Sequence, residues 1–240
     1  MLLLTLACLP WRTTTDRVER SPDQLNAVLI NGGGYAEGNY SSHLAHLQET
    51  REVLIARGFD PSNVTVFDAD GGSPEPDQAY SWGEIEGEWY LIGTTYEDLV
   101  LEYPLRDSRW EVERRPATTE ALTHWFQQEQ SLKEGDLLFF YVTDHGTPGS
   151  LSLWNEDLSP WQLAQLLDEV PERTRVVLAM NQCFAGQFLD ALDPSREQCG
   201  LFAVPADRKS NGCYPIEDGS RVGHAFELAE ALTWATSLDR

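Results

Sequence analysis

Two short segments carry residue types that can do nucleophilic chemistry. Val142-Thr143-Asp144-His145-Gly146 follows the apolar run Leu137 to Tyr141, and Asn181-Gln182-Cys183-Phe184-Ala185-Gly186 follows the apolar run Val176 to Met180. A free thiol has a pKa near about 8.5, so little of it is thiolate at neutral pH, and a neighbouring imidazole that takes the proton makes it an efficient nucleophile. His145 can serve Cys183 in this way, protonating a leaving amine and later activating water. An acyl-enzyme also needs donors for its oxyanion. The backbone N–H groups of Gly146 and Cys183 are the candidates, because a glycine lets a substrate carbonyl approach closely. Metal chemistry fits poorly, since the four cysteines include no Cys-x-x-Cys pair and the histidines do not recur at ligand spacing. No cofactor is expected.

A His and a Cys leaving the ends of two strands meet across one cleft when those strands are parallel neighbours, because open α/β sheets bind ligands outside their carboxyl ends. The rest of the chain supports such a sheet. Short apolar runs alternate with amphipathic stretches, the pattern of βαβ units. Strands are expected at Asn26–Asn31, Val64–Phe67, Asp136–Val142, Thr174–Met180 and Leu201–Val204. Helices are expected at Ser42–Arg57, from the cap Thr118 to about Gln130, and at Val222–Thr236. Ser159-Pro160-Trp161-Gln162 is a strong helix start, with Ser as cap, Pro first and Gln three residues after the cap. A short helix should begin just after Cys183.

At 240 residues, 41% of them hydrophobic, the chain can bury one substantial core. Residues 24–240 read as a single domain interrupted at about 68–115 by a Gly-, Pro-, acid- and Trp-rich insertion, with strand-like pieces near Trp89–Ile92 and Asp98–Leu101. Seventeen Lys and Arg against 39 Asp and Glu give a net charge of −22, which argues against nucleic acid as a partner. Residues 1–23 are a short apolar run and a polar tether. That run is too short to span a bilayer, which takes roughly 20 apolar residues. Two readings of it stand: the tail of an export signal with Cys8 as a lipid-anchored cysteine, and an apolar N-terminus without that meaning. The first implies a cell-envelope or extracytoplasmic location, where Cys199 and Cys213 could pair as a disulfide; the second leaves the cytoplasm open.

The run Phe140 to Gly146, with Gly149 and Trp154-Asn155-Glu156-Asp157-Leu158 behind it, resembles the histidine segment of the legumain family. Cys183 lies 38 residues beyond His145, where that family has its nucleophile, and Asn39-Tyr40 matches an Asn-Tyr pair whose Asn assists catalysis. The resemblance spans about residues 26 to 236. It implies the caspase-like fold of clan CD cysteine peptidases, an α/β three-layer sandwich with a mostly parallel sheet and helices on both faces. It also implies a peptide or protein substrate, and a role for Asn39 in orienting His145 through its amide; a plain turn role for Asn39 is the other reading. Asp144 is expected to be a structural neighbour.

The departures concern specificity. Where the family carries Arg-His after the Asn-Tyr pair, this chain has Ser41-Ser42; the acidic position two before the nucleophile is Asn181, and His224 aligns with a further acidic one. Cleavage after asparagine is therefore not expected. A pocket of Ser41, Ser42, Asn181 and His224 would suit a small, polar or acidic P1 residue. Besides hydrolysis, the same dyad could serve a transpeptidase, and the altered pocket leaves room for a catalytically silent protein-binding relative. His43, His46 and His124 read as surface or packing residues of helices.

Overall fold

The computed structural model describes residues 21–79 and 105–210, together with the backbone of residues 5–8. Its centre is a six-stranded sheet of order β1-β11-β10-β6-β2-β3. In chain order these strands are β1 (Thr5–Cys8), β2 (Leu25–Asn31), β3 (Val64–Asp68), β6 (Leu137–Val142), β10 (Arg175–Met180) and β11 (Gln198–Phe202). Five of them are parallel, and β1 pairs antiparallel with β11 at one edge. The helices are α1 (Ser41–Ala56), α2 (Thr119–His124) and α3 (Pro160–Asp168). The fold is the α/β architecture of the caspase-like class.

Alternation along the strands builds two cores. Ala27, Leu29, Phe139, Tyr141 and Ala179 face one side, where Leu47 and Leu54 of α1 cover them. Val28, Ile30, Phe140, Val142, Leu178 and Met180 face the other, against Leu122 of α2 and Leu163, Leu166 and Leu167 of α3. Strands covered on both faces must be apolar throughout, which is why β6 reads Leu-Leu-Phe-Phe-Tyr-Val without a polar break. Each large side chain so buried contributes about 1.5–3 kcal/mol.

Most elements begin within a residue of expectation. Ser159 forms a reciprocal capping box with Gln162, and Thr118 caps α2 by accepting from the Ala121 N–H. Two elements differ. The helix from Thr118 changes to a π-helical turn at Trp125–Glu129, and this wider turn accompanies burial of both Trp125 and Phe126, whose ring centroids are 4.9 Å apart. The fifth expected strand starts at Gln198 rather than Leu201. Polar Gln198 hides this in the sequence, but its side chain is buried and accepts the Asp193 N–H.

The two ends of the acidic insertion join the body. β4 (Gln78–Ala79) pairs with β5 (Leu105–Arg106), and Trp110 and Val112 pack on the α1-side core. The expected pieces at Trp89–Ile92 and Asp98–Leu101, the closing helix at 222–236 and Cys213 lie outside the described residues. Cys199 is disulfide-bonded, and Cys8 stands opposite it in the β1–β11 register. Among the described residues no helix is long and apolar enough to cross a membrane.

Candidate active site

Strands β2, β6 and β10 are adjacent and parallel, so their carboxyl ends share one edge. Met180 pairs with Val142, and Val142 with Ile30. Cys183 and His145 each stand three residues beyond that paired row, in the loops that follow two neighbouring strands spaced about 4.8 Å apart. The loops that carry them touch. A Cβ on Gly146 would lie 2.3 Å from the Cys183 carbonyl oxygen and 2.7 Å from Gln182 Cγ, so only glycine fits there. Residues 146–158 fold into a three-stranded antiparallel unit of β7 (Gly146–Thr147), β8 (Ser150–Leu153) and β9 (Glu156–Leu158).

Gln187 fastens the two halves. It lies on the 3₁₀ helix Ala185–Ala191 just after the cysteine, accepts the Gly149 N–H at 2.5 Å and donates to the Thr147 carbonyl at 2.9 Å. Between strand and helix, Phe184 takes a left-handed conformation with φ 56°, unusual for a bulky residue, and its N–H is held by the Arg208 carbonyl. This sharp turn leaves Cys183 half-buried, its sulfur accepting the Ser210 N–H at 3.3 Å.

The imidazole of His145 is oriented by a main-chain carbonyl: Nε2 lies 2.8 Å from the Gly38 oxygen. A carbonyl can only accept, so Nε2 carries the proton and Nδ1 keeps the lone pair that makes the ring a base. Burial holds the His145 pKa below the usual imidazole value, partly offset by the Gly38 bond, and so favours the neutral, basic form. Tyr40 and His43 flank the ring, each with its centroid 5.0 Å away in an edge-on arrangement.

Asn39 does not reach His145 by the expected route. Its Oδ1 accepts from Asn31 Nδ2 at 2.7 Å and its Nδ2 donates to the Asp77 carbonyl at 2.8 Å. Both ends of the amide are committed, and it is the neighbouring Gly38 that meets the imidazole. Gly33, with φ 68°, leaves no room for a side chain against Asn39. The Asn31 amide also donates to Asp68, which pairs at 2.8 Å with Arg114; Arg114 and Asp77 in turn hold Ser108. The turn carrying Gly38 is thus pinned by a buried polar network drawn from β2, β3 and the insertion. Asp144 works the other side of the same turn. Its carboxylate accepts from Gly32, Gly33 and its own neighbour His145, and burial still pushes its pKa up to about 8.

The expected pocket residues divide. Ser41 and Ser42 open α1 between Tyr40 and His43, are buried, and have hydroxyls with no hydrogen-bond partner among the described residues. Asn181 follows β10, its N–H donating to the Val142 carbonyl at 3.0 Å. His224 lies outside the described residues. Missed by the sequence reading were Gly38, Gln187 and His43, which have no composition or spacing signal. Asn31 and Asp68 did carry one: each is a polar residue closing an otherwise buried strand, and the two are paired in register.

The model of the Peptidase C13 family matches residues 125–237, the span that contains both His145 and Cys183. The "Hemoglobinase" of Schistosoma japonicum is 23% identical over 222 residues, covering 89% of this chain and 50% of that protein. The chain therefore spans about half the length of the curated relative it matches. Among solved structures, protein GSU0716 from Geobacter sulfurreducens aligns at 13% identity and a TM-score of 0.35, over 90% of this chain and 65% of that one, too distant to argue from. The matched span holds the strands that precede His145 and Cys183 and the loops between them, and over that span the chain is similar to the Peptidase C13 family, as it is at lower identity to the Schistosoma japonicum protein.

Proposed function

We propose that this chain is a cysteine endopeptidase in which Cys183 attacks the scissile carbonyl and His145 acts as general base and then general acid. The observation that carries the reading is the fixed tautomer of His145: the Gly38 carbonyl occupies Nε2, and the basic Nδ1 is left for chemistry on a loop that touches the cysteine loop. Nδ1 takes the thiol proton as sulfur bonds to carbon, the amine leaves with that proton, and water activated by the same nitrogen releases the acyl group. Backbone N–H groups of Gly146 and Cys183 are the proposed oxyanion donors. Asn39 contributes by holding the turn that presents Gly38.

For specificity we propose that Ser41, Ser42 and Asn181, with His224, receive a small, polar or acidic P1 side chain. The unpaired buried hydroxyls of Ser41 and Ser42 support this, since buried polar atoms without partners are costly unless a ligand satisfies them. The disulfide at Cys199 supports a location outside the reducing cytoplasm. The test is a positional-scanning fluorogenic peptide library with wild type, Cys183→Ala and His145→Ala. Turnover confined to wild type with a small, polar or acidic P1 preference supports the whole reading. A preference for Arg or Lys removes the pocket proposal, and turnover undiminished in Cys183→Ala removes the mechanism.

A further inference from the structure

His43 has no part in the chemistry described so far, yet it is the most unusual side chain beside the site. It is fully buried, and among the described residues neither ring nitrogen has a hydrogen-bond partner. A buried imidazole normally finds an acceptor for its N–H or a donor for its lone pair. Here the ring instead meets two other rings: His145 at 5.0 Å with an interplanar angle of 71°, and Tyr40 at 5.5 Å. Tyr40 meets His145 at 5.0 Å and 86°, which closes a three-ring cluster with the general base at one corner. One turn further along α1, His46 is also buried and its Nδ1 lies 3.1 Å from Thr143 Oγ1.

We infer that His43 is a positioning residue for His145, its neutral ring walling the face of the general base away from solvent and holding the imidazole plane that puts Nε2 on the Gly38 carbonyl. This rests on the reading of His145 as the base. Without an acceptor, nothing stabilises a proton on His43; burial, with His145 and then His46 as like-charged neighbours, keeps its pKa well below the ordinary value. The missing partners therefore have a use. Two imidazolium rings at this separation would repel, and a His43 that stays uncharged leaves His145 as the ring that takes the proton from Cys183. Removing the ring would admit water behind His145, relax its desolvation and let the ring turn off the Gly38 carbonyl.

Among the described residues, the titratable groups around the pair are Tyr40 and His46 on the α1 side, Asp144 preceding the base, and Cys183 across the loop contact. None of them changes in the variants that test the idea. NMR titration of the His145 imidazole in a Cys183→Ala background, compared with His43→Ala, His43→Gln and His43→Phe on the same background, reads the effect without any turnover. Loss of the ring in Ala or Gln is expected to raise the His145 midpoint toward the ordinary imidazole value of about 6.5, while Phe, which keeps a neutral ring, holds it. In the active protein, Ala or Gln should lower kcat roughly tenfold to a hundredfold with KM within a few-fold and move the acid limb upward; Phe should restore most of the rate. If Ala does not fold, Gln against Phe decides the matter. An unchanged His145 midpoint in Ala or Gln, or a Phe variant shifted as far as they are, overturns the assignment. Should wild type show no peptidase turnover, the proposed function fails while the titration still reports on His43.

Discussion

Gly146→Ala is a sharp test of the contact that joins the histidine and cysteine loops. The added methyl would sit 2.3 Å from the Cys183 carbonyl oxygen and 2.7 Å from Gln182 Cγ. An ordinary carbon–oxygen contact is about 3.3 Å or longer, so roughly 1 Å of separation must be created between two backbone segments. Neither can yield cheaply: Gln182 is fully buried, and the cysteine turn is tied by the Phe184 N–H to Arg208 and the Gly186 N–H to Val204. Overpacking of this kind costs about 1–3 kcal/mol of stability. The larger effect should be on rate. A misplacement of about 1 Å between base and nucleophile can cost on the order of a hundredfold in kcat. Alanine keeps the N–H proposed for the oxyanion, so the steric contribution is isolated. Urea denaturation and steady-state kinetics on a fluorogenic substrate measure both quantities. A folded variant with kcat within threefold of wild type would refute the claim that this contact sets the catalytic geometry.

The remaining predictions draw on the same network. Arg114→Met leaves Asp68 buried without its cation and should cost about 3–5 kcal/mol by urea denaturation, with loss of activity well before global unfolding. Asn39→Ala breaks the bonds to Asn31 and Asp77 and should lower kcat by about tenfold while leaving Cys183 open to alkylation; undiminished kcat would show that the Gly38 turn holds without it. Burial of His43 and His145 holds both below the unfolded imidazole value, so the unfolded state binds more protons and stability should fall as pH drops below about 6.5; His43→Phe should flatten that slope in pH-dependent denaturation. Asp70 has the opposite sign. Its pKa is raised to about 6 by burial and by Asp77, so its contribution is present at low pH and lost as pH rises toward that value, a trend that Asp70→Asn should remove.

Much of the frame was legible in the sequence because the signals were local. Apolar runs with no polar break marked the central strands, and Ser159-Pro160-Trp161-Gln162 marked a helix start through cap chemistry alone. The placement of the candidate pair was legible for the same reason, since His145 and Cys183 each follow a buried strand. What was not legible depends on contacts distant in the chain. That Gly38 rather than Asn39 meets His145 follows from Asn31 and the Asp77 carbonyl engaging the Asn39 amide, and no spacing rule reports such competition. His43 looked like an ordinary helical residue because amphipathic periodicity cannot reveal which ring it faces. Gln187 is invisible for similar reasons: its value lies wholly in reaching across 40 residues to the Thr147 carbonyl.

The central claim is covalent chemistry at Cys183 assisted by His145. It is tested most directly by rapid-quench mass spectrometry of the intact protein with an activated ester of a short peptide ending in a small, polar or acidic residue. The account predicts a transient acyl adduct that maps to Cys183, is absent in Cys183→Ala, and forms and decays far more slowly in His145→Ala. An adduct on another residue, or acylation of Cys183 at the same rate with and without His145, would contradict it.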